Sequence, residues 1–396
     1  MYRIIDIAKE ISSGLTPLRS NLEYWSNGTI PWLKTEQIGE YRIKTTNEFV
    51  TQKALDKTGL KLYPQNTISI AMYGEGKTRG NVSILDCPMT TNQACCNIIP
   101  NEDIVEPFYL YYFFKTQYNN LRQLSSGVRK NLNSNDIKNY KINLPNKKNQ
   151  KNIADFLCNI DEKIELNNKI NSELENLAKT LYEYWFVQFD FPDEFGRPYK
   201  SSGGEMAYNK ELKREIPIIF ERKELQDFCN IFTGKKDVKM TVENGKYPFF
   251  SCAPDPLKSN DYIFDGNAIL VAGNGSYTGR VSYYKGKFDL YQRTYACTLK
   301  NTDKDLIPFL YYFMKFFFEP QYKGGTHGSA IPYIVIGDLA NLGIPYNSVI
   351  TNKFNDIVKP ILKAYFKNSE ENKRLIQIRD FLLPMLMNGQ ISIIAE

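Results

Sequence analysis

Two loops in this 396-residue sequence carry residue types that could hold a phosphate. Tyr73-Gly74-Glu75-Gly76-Lys77-Thr78-Arg79-Gly80-Asn81-Val82-Ser83 and Ala272-Gly273-Asn274-Gly275-Ser276-Tyr277-Thr278-Gly279-Arg280-Val281-Ser282 share three glycines and a Val-Ser pair at an offset of 199. A nucleotide or S-adenosylmethionine site needs a strand before such glycines and a helix after them, so that the helix N-terminus meets the ligand. Here both flanks read as strands, residues 68–72 and 82–85 in one copy, 268–271 and 281–284 in the other. The pattern predicts β-hairpins whose glycines permit unusual backbone angles. Their tips present Tyr73, Lys77 and Arg79, or Asn274, Tyr277 and Arg280, which suit a phosphate or a base edge. Ordinary solvated turns have the same composition.

Further polar stretches have base-reading chemistry: Lys34-Thr35-Glu36-Gln37, Asn92-Gln93, Ser251 and Gln292-Arg293-Thr294. Arg and Lys match guanine, Asn and Gln adenine. Two polar loops in corresponding places hold Arg129 and Lys130, or His327. His327 is the only histidine, so a histidine-dependent triad cannot occur in both halves, and no His/Cys cluster has zinc spacing. Neither a phosphate-binding Gly-x-x-x-x-Gly-Lys-Ser/Thr loop nor the Asp/Asn-Pro-Pro-Tyr/Phe of an adenine methyltransferase is present; Asp255-Pro256 lacks the rest. We therefore expect no catalytic residues, no metal and no cofactor.

The elements that must position these residues are repeated. Leu110-Tyr111-Tyr112-Phe113-Phe114-Lys115 matches Leu310-Tyr311-Tyr312-Phe313-Met314-Lys315, Ile11 and Gly14 match Ile231 and Gly234, and Gly28 and Pro31 match Gly245 and Pro248. The common order of these matches signals internal duplication. From Gln150 to Trp185 there is no Pro or Gly, and Ile153, Leu157, Ile160, Ile164, Ile170, Leu174, Leu177, Leu181 and Trp185 recur at helical spacing. An offset of 201 brings Phe354, Val358, Ile361, Tyr365, Leu375, Ile378, Leu382 and Leu386 into the same pattern. The period, about 3.5, is that of a coiled coil. Pro360 should kink the second helix and Pro384 loosen its end. The order lobe, helix, lobe, helix makes the helices pair antiparallel. Centring that pairing on Asn167 sets Asn167 against Asn368, Ile160 against Leu375 and Leu174 against Ile361. The two Asn residues then lie in the seam or at its edge. The expected interface is Ile153, Ile160, Asn167, Leu174, Leu181, Phe354, Ile361, Asn368, Leu375 and Leu382.

Charge supports a nucleic-acid partner only weakly. Residues 1–148 hold 19 Lys/Arg and 13 Asp/Glu (+6), residues 149–190 hold 4 and 8 (−4), and residues 215–349 hold 15 and 14 (+1). The seven cysteines include no Cys-x-x-Cys pair and fit free thiols in a reducing cytoplasm. No signal-peptide pattern opens the chain, and no stretch is apolar enough to span a membrane.

Together these residues resemble the specificity subunits of type I restriction–modification systems. The resemblance rests on Ile11-Ser12-Ser13-Gly14-Leu15-Thr16-Pro17, Ile30-Pro31-Trp32-Leu33, the glycine hairpins, Thr91-Asn92-Gln93-Ala94, residues 149–157, residues 182–192 and residues 381–390. The second helix departs from the pattern, starting Ile350-Thr351-Asn352-Lys353-Phe354, and the second lobe is nearly neutral. The resemblance implies an α+β fold: two pseudo-repeated β-rich target recognition domains, each followed by a long helix, the helices forming an antiparallel coiled coil. Its domains would be 1–148 and 215–348, with helices in 149–190 and 349–390 and a linker at 191–214. It also implies a bipartite, asymmetric site on double-stranded DNA, two docked methyltransferase subunits, and nuclease/translocase subunits in the full complex. Adenine methylation and cleavage would belong to those partners. The competing readings are a coiled-coil scaffold whose lobes bind protein and an enzyme with an unrecognised site.

Overall fold

The structure, a computed structural model, describes residues 1–74, 76–124, 131–300, 305–323 and 332–393. It divides into two units, Met1–Asn167 with Glu370–Glu396, and Asn168–Ser369. Each unit joins a β-rich lobe to part of both long helices.

In the first unit a five-stranded sheet runs in the order Ala8–Ser13, Cys95–Pro100, Ile68–Ala71, Val82–Leu85, Arg42–Ile43. A three-stranded sheet orders Glu48–Val50, Ile30–Leu33 and Thr90–Thr91. In the second unit one six-stranded sheet does both jobs: Cys229–Thr233, Thr294–Leu299, Phe264–Ala272, Val281–Leu290, Tyr247–Phe250, Leu257–Ser259. The difference has a local cause. The single strand Val281–Leu290 corresponds to two short ones, Val82–Leu85 and Thr90–Thr91, and Pro88 between them has no N–H to continue a ladder.

Both glycine loops connect antiparallel neighbours, as the flanking residues predict: Ile70 pairs with Val82, and Val271 with Val281. Gly14 and Gly234 are equivalent in space as well as in sequence. A Cβ on Gly14 would meet the Thr91 carbonyl oxygen at 2.1 Å, and one on Gly234 the Leu290 carbonyl oxygen at 1.6 Å. The helices Pro107–Thr116 and Ile307–Phe313 bury Leu110-Tyr111-Tyr112 and Leu310-Tyr311-Tyr312 in the lobe cores.

The first long helix spans Lys147–Tyr182 and continues through a wider turn at Glu183–Val187; the second spans Ser348–Met387. Asn146 and Asn347, one repeat apart, cap them by accepting from the backbone N–H of Asn149 (2.8 Å) and of Val349 (3.0 Å). Pro360 and Pro384 interrupt neither helical course. Both lie on exposed faces, where the carbonyl that each leaves without a partner can turn to water.

Within each unit the helices run antiparallel, but not in the expected register. In the first unit Asn167 Nδ2 donates to Asn372 Oδ1 (2.9 Å). In the second, Asn368 Nδ2 donates to Asn171 Oδ1 (3.0 Å). Paired positions therefore sum to 539 (167 + 372 and 171 + 368) rather than the expected 535 (167 + 368), a displacement of one turn. The two bonds are copies of each other under the 201 offset. Ile160 consequently lies opposite Arg379 rather than Leu375, and Leu174 opposite Tyr365 rather than Ile361. Asn167 and Asn372 are 1% and 7% exposed, so the asparagines occupy the seam.

The seam follows alternate steps of 4 and 3 from Ile153 to Trp185 by way of Asn167, Asn171 and Ala178, and from Phe354 to Leu386 by way of Asn368, Asn372 and Arg379. Ile170, Leu177 and Ile378, expected in it, are 39%, 49% and 47% exposed. Of the interface residues named above, Ile153, Ile160, Asn167, Phe354 and Ile361 are buried. Leu174, Leu181, Asn368, Leu375 and Leu382 are half-buried.

Candidate nucleic-acid interface

The two lobes bring loops together through matching backbone bonds. In the first, Met72 N–H donates to the Ala94 carbonyl (2.8 Å), Leu132 N–H to the Met72 carbonyl (3.1 Å), and Asn92 N–H to the Leu33 carbonyl (2.9 Å). In the second, Gly273 N–H donates to the Arg293 carbonyl (2.9 Å), Ile334 N–H to the Gly273 carbonyl (3.0 Å), and Tyr291 N–H to the Phe250 carbonyl (3.0 Å). Lys34 and Ser251 thus hold equivalent places, as do Gln93 and Gln292. The hairpin loop itself differs. Gly80 N–H donates to the Ala71 carbonyl (2.9 Å) and Gly279 N–H to that of Ala272 (2.8 Å). Both glycines have left-handed φ, +87° and +85°. The span is nine residues in the first lobe (80 − 71) and seven in the second (279 − 272). The glycine match near Gly74 is therefore one of sequence only, and Met72 stands where the second lobe has Gly273.

In the first lobe, Thr16 Oγ1 donates to Gln93 Oε1, which ties the chain after Gly14 to that face. Thr35, Glu36 and Gln37 form a single tight turn, and Gln37 Oε1 accepts from the Asn47 N–H (3.0 Å). Lys34 Nζ lies between Glu36 (2.8 Å) and Glu48 (2.7 Å). Hydrogen bonds to these carboxylates hold the ammonium above the ordinary lysine range. Asn92 Oδ1 is used internally, accepting from the Ala94 N–H at 3.1 Å. Tyr73 and Lys77 are exposed, and Lys77 offers its carbonyl to Tyr118 Oη (2.8 Å). The carbonyl of Arg79 accepts from Arg122 (3.0 Å).

In the second lobe, Cys252 sits at the meeting of three loops. Its Sγ is 3.1 Å from Asn274 Oδ1, 3.3 Å from the Arg293 carbonyl oxygen and 3.5 Å from Thr294 Oγ1. Arg280 donates to the carbonyls of Cys252 (3.4 Å) and Ala253 (2.7 Å). Ser251 Oγ accepts from the Ala253 N–H at 3.2 Å. Thr294 is buried, whereas Tyr277, Gln292 and Arg293 are exposed. Lys236 forms a tripod with Asp289 (2.7 Å), Asp261 (2.9 Å) and Ser259 (3.3 Å), and its ammonium is also held above the ordinary range, first by the bond to Asp289. Its charge is answered inside the lobe, which agrees with that lobe's near-neutral balance. Arg129, Lys130 and His327 lie outside the described residues.

Four groups have roles that the sequence did not assign. Arg19, Trp25, Trp32 and Glu48 form a stacked cluster beside Lys34, with no short motif to announce it. Gln150, buried, fastens the first helix to its lobe: its Oε1 accepts from the Glu106 N–H (2.9 Å) and its Nε2 donates to the Pro145 (2.9 Å) and Ile104 (3.3 Å) carbonyls. In the second unit Asn355 takes that task, accepting from the Phe309 N–H (2.9 Å) and donating to the Asp305 carbonyl (3.2 Å). It explains how the second helix can start without a glutamine. Last, Tyr112 Oη donates to Asp161 (2.6 Å), which also pairs with Arg379, joining lobe and both helices in the first unit.

Comparison with known proteins accords with this arrangement. The chain matches the family described as Type I restriction modification DNA specificity domain over residues 1–176 and again over 217–378. It is 29% identical to the type I restriction enzyme MjaIX specificity subunit of Methanocaldococcus jannaschii, across 99% of this chain and 93% of that one. It is 30% identical to the EcoDI specificity subunit of Escherichia coli over 45% of this chain and 40% of that one. Its fold is similar to the crystal structure of a type I restriction-modification S subunit from M. genitalium, with a TM-score of 0.63 at 19% identity, covering 97% and 95% of the two chains.

Proposed function

Because the chain belongs to the type I restriction–modification specificity family, whose members recognise DNA and leave catalysis to other subunits, we propose that each of its lobes reads one half of a bipartite, asymmetric duplex site. The observation that carries this reading is the pair of equivalent loop clusters, organised by Met72 and Gly273, with the same backbone frame and different side chains. A common frame suits a common task, and different side chains suit different half-sites. The paired helices set the gap between half-sites and dock two methyltransferase subunits, and nuclease/translocase subunits join that core. The contacting residues are the exposed Tyr73, Lys77 and Gln93 with the half-buried Lys34 in one lobe, and the exposed Tyr277, Gln292 and Arg293 in the other.

The test is an exchange of residues 1–148 for the first lobe of another family member, read by binding to duplexes carrying each half-site. The expected result is a change in one half-site, with binding that falls steeply as salt rises. A change in both half-sites would contradict independent lobes. Binding indifferent to salt would favour lobes that bind protein.

A further inference from the structure

Arg19 has the geometry of a reading residue. Its guanidinium carbon lies 3.8 Å from the ring centre of Trp25 and 4.6 Å from that of Trp32. The two rings meet edge to face, 5.0 Å apart at 88°. Each indole N–H is itself committed to the loop that carries Arg19: Trp25 donates to the Leu18 carbonyl (3.2 Å) and Trp32 to the Leu15 carbonyl (3.0 Å). The loop is thereby pinned at two points, and the guanidinium is held by cation–π contact with both rings. Arg19 Nη1 pairs with Glu48, and among the described residues Nε and Nη2 have no protein partner. The side chain is half exposed.

The surroundings decide what such a fork would meet. Glu48 holds Arg19 and Lys34 together, and Lys34 also holds Glu36. Two cations and two carboxylates leave the cluster neutral. A phosphate would gain little there, since Glu48 and Glu36 repel it as the cations attract it. A base edge carries no net charge, and the guanine edge presents two acceptors to a planar pair of donors. A neighbouring carboxylate can accept from the amino group of the paired cytosine. The cluster adjoins the candidate face through Lys34 and through the Thr16–Gln93 bond.

We propose that Arg19, held over the Trp25 ring and flanked by Glu48, reads a guanine of a G·C pair in the half-site of the first lobe. The proposal rests on the DNA-reading function above. The test is N6-methyladenine sequencing in a methylation-free host that expresses the full chain with its methyltransferase subunit, for the wild type, Arg19→Ala and Arg19→Lys. The half-site of the first lobe is identified by exchanging residues 1–148. The expected result is a fixed G·C pair in that half-site that both variants relax, discrimination there falling roughly ten- to hundredfold while every other position is kept. Lysine fails with alanine because it has no planar fork. A half-site with no fixed G·C pair, an unchanged motif in Arg19→Ala, or full discrimination in Arg19→Lys overturns the proposal. An even loss at all positions, or loss of all methylation by both variants, also overturns it, in favour of a phosphate contact or a structural role. A wild-type chain that directs no methylation fails the underlying reading instead.

Discussion

Lys77 and Arg280 both belong to glycine hairpins, yet their charges are deployed differently. Arg280 Nη2 donates to the carbonyls of Cys252 and Ala253, and so holds two loops of its own lobe together. Among the described residues Lys77 bonds through its carbonyl, to Tyr118, and its side chain is exposed. Arg280→Ala should therefore lower thermal stability, by about 1–3 kcal/mol for the carbonyls left without donors, and disturb the second half-site. Lys77→Ala should leave the melting temperature unchanged. It should weaken binding to all duplexes alike and reduce the salt slope by about 1. A sequence-selective effect of Lys77→Ala would place Lys77 on a base edge rather than a phosphate. For Lys34 the sign of the pH dependence follows from its raised pKa. The interaction with Glu36 and Glu48 is fully present below the unfolded lysine value and lost only as pH rises through the higher folded one. A change of pH across the neutral range, where the Lys34 ammonium stays charged, should leave this loop unaltered.

At the scale of elements, the repeat offers its own control. Asp161 and Arg379 pair in the first unit, their side chains 4% and 14% exposed. One repeat away (161 + 201 = 362; 379 − 201 = 178) the second unit has Leu362 and Ala178, both buried. The same slot is thus ionic in one unit and apolar in the other. Asp161→Ala, which leaves Arg379 to Asp380 alone and the Tyr112 hydroxyl without its acceptor, should cost about 1–3 kcal/mol in urea unfolding. The double variant Asp161→Leu with Arg379→Ala, combined with Tyr112→Phe to remove the orphaned hydroxyl, should recover most of that loss. A triple variant no more stable than Asp161→Ala would show that the two slots are not equivalent.

The helices also mark where sequence reasoning reached and where it stopped. Their existence and repeat offset were legible from periodicity, and their antiparallel sense from the order lobe, helix, lobe, helix. Their register was not, because large apolar residues were favoured over small or polar ones. Ile170, Leu177 and Ile378 each stand one position before the seam, which passes through Asn171, Ala178 and Arg379. The Asn146 and Asn347 caps were readable signals, since each immediately precedes a helical run. In the lobes, strand order across the hairpins followed from the flanks of the glycines. The longer first hairpin loop did not, because three coincident glycines suggested equal lengths. The Arg19 cluster gathers residues 19, 25, 32 and 48, a spacing that only the folded chain brings together.

For the whole molecule, duplication supplies two frames and divergence supplies their differences. The first lobe is basic and the second nearly neutral, with Lys236 neutralised by Asp289 and Asp261. Phosphate contacts should therefore be concentrated in the first lobe. In the proposed function the helix pair sets the gap between half-sites. Seven residues added to each helix at matched positions would preserve the heptad pattern and lengthen the pair by roughly 10 Å. The gap should grow by about three base pairs, at roughly 3.4 Å each. An unchanged gap would contradict the role of the helices as a ruler.

The central claim is that this chain dictates a split DNA site to a methyltransferase. The most direct measurement is a genome-wide map of N6-methyladenine in a methylation-free host that expresses the methyltransferase subunit with and without the chain. The account predicts an asymmetric motif of two half-sites at a fixed gap, methylated only when the chain is present. Methylation that ignores the chain, or its absence when the subunit is shown to bind the chain, would contradict it.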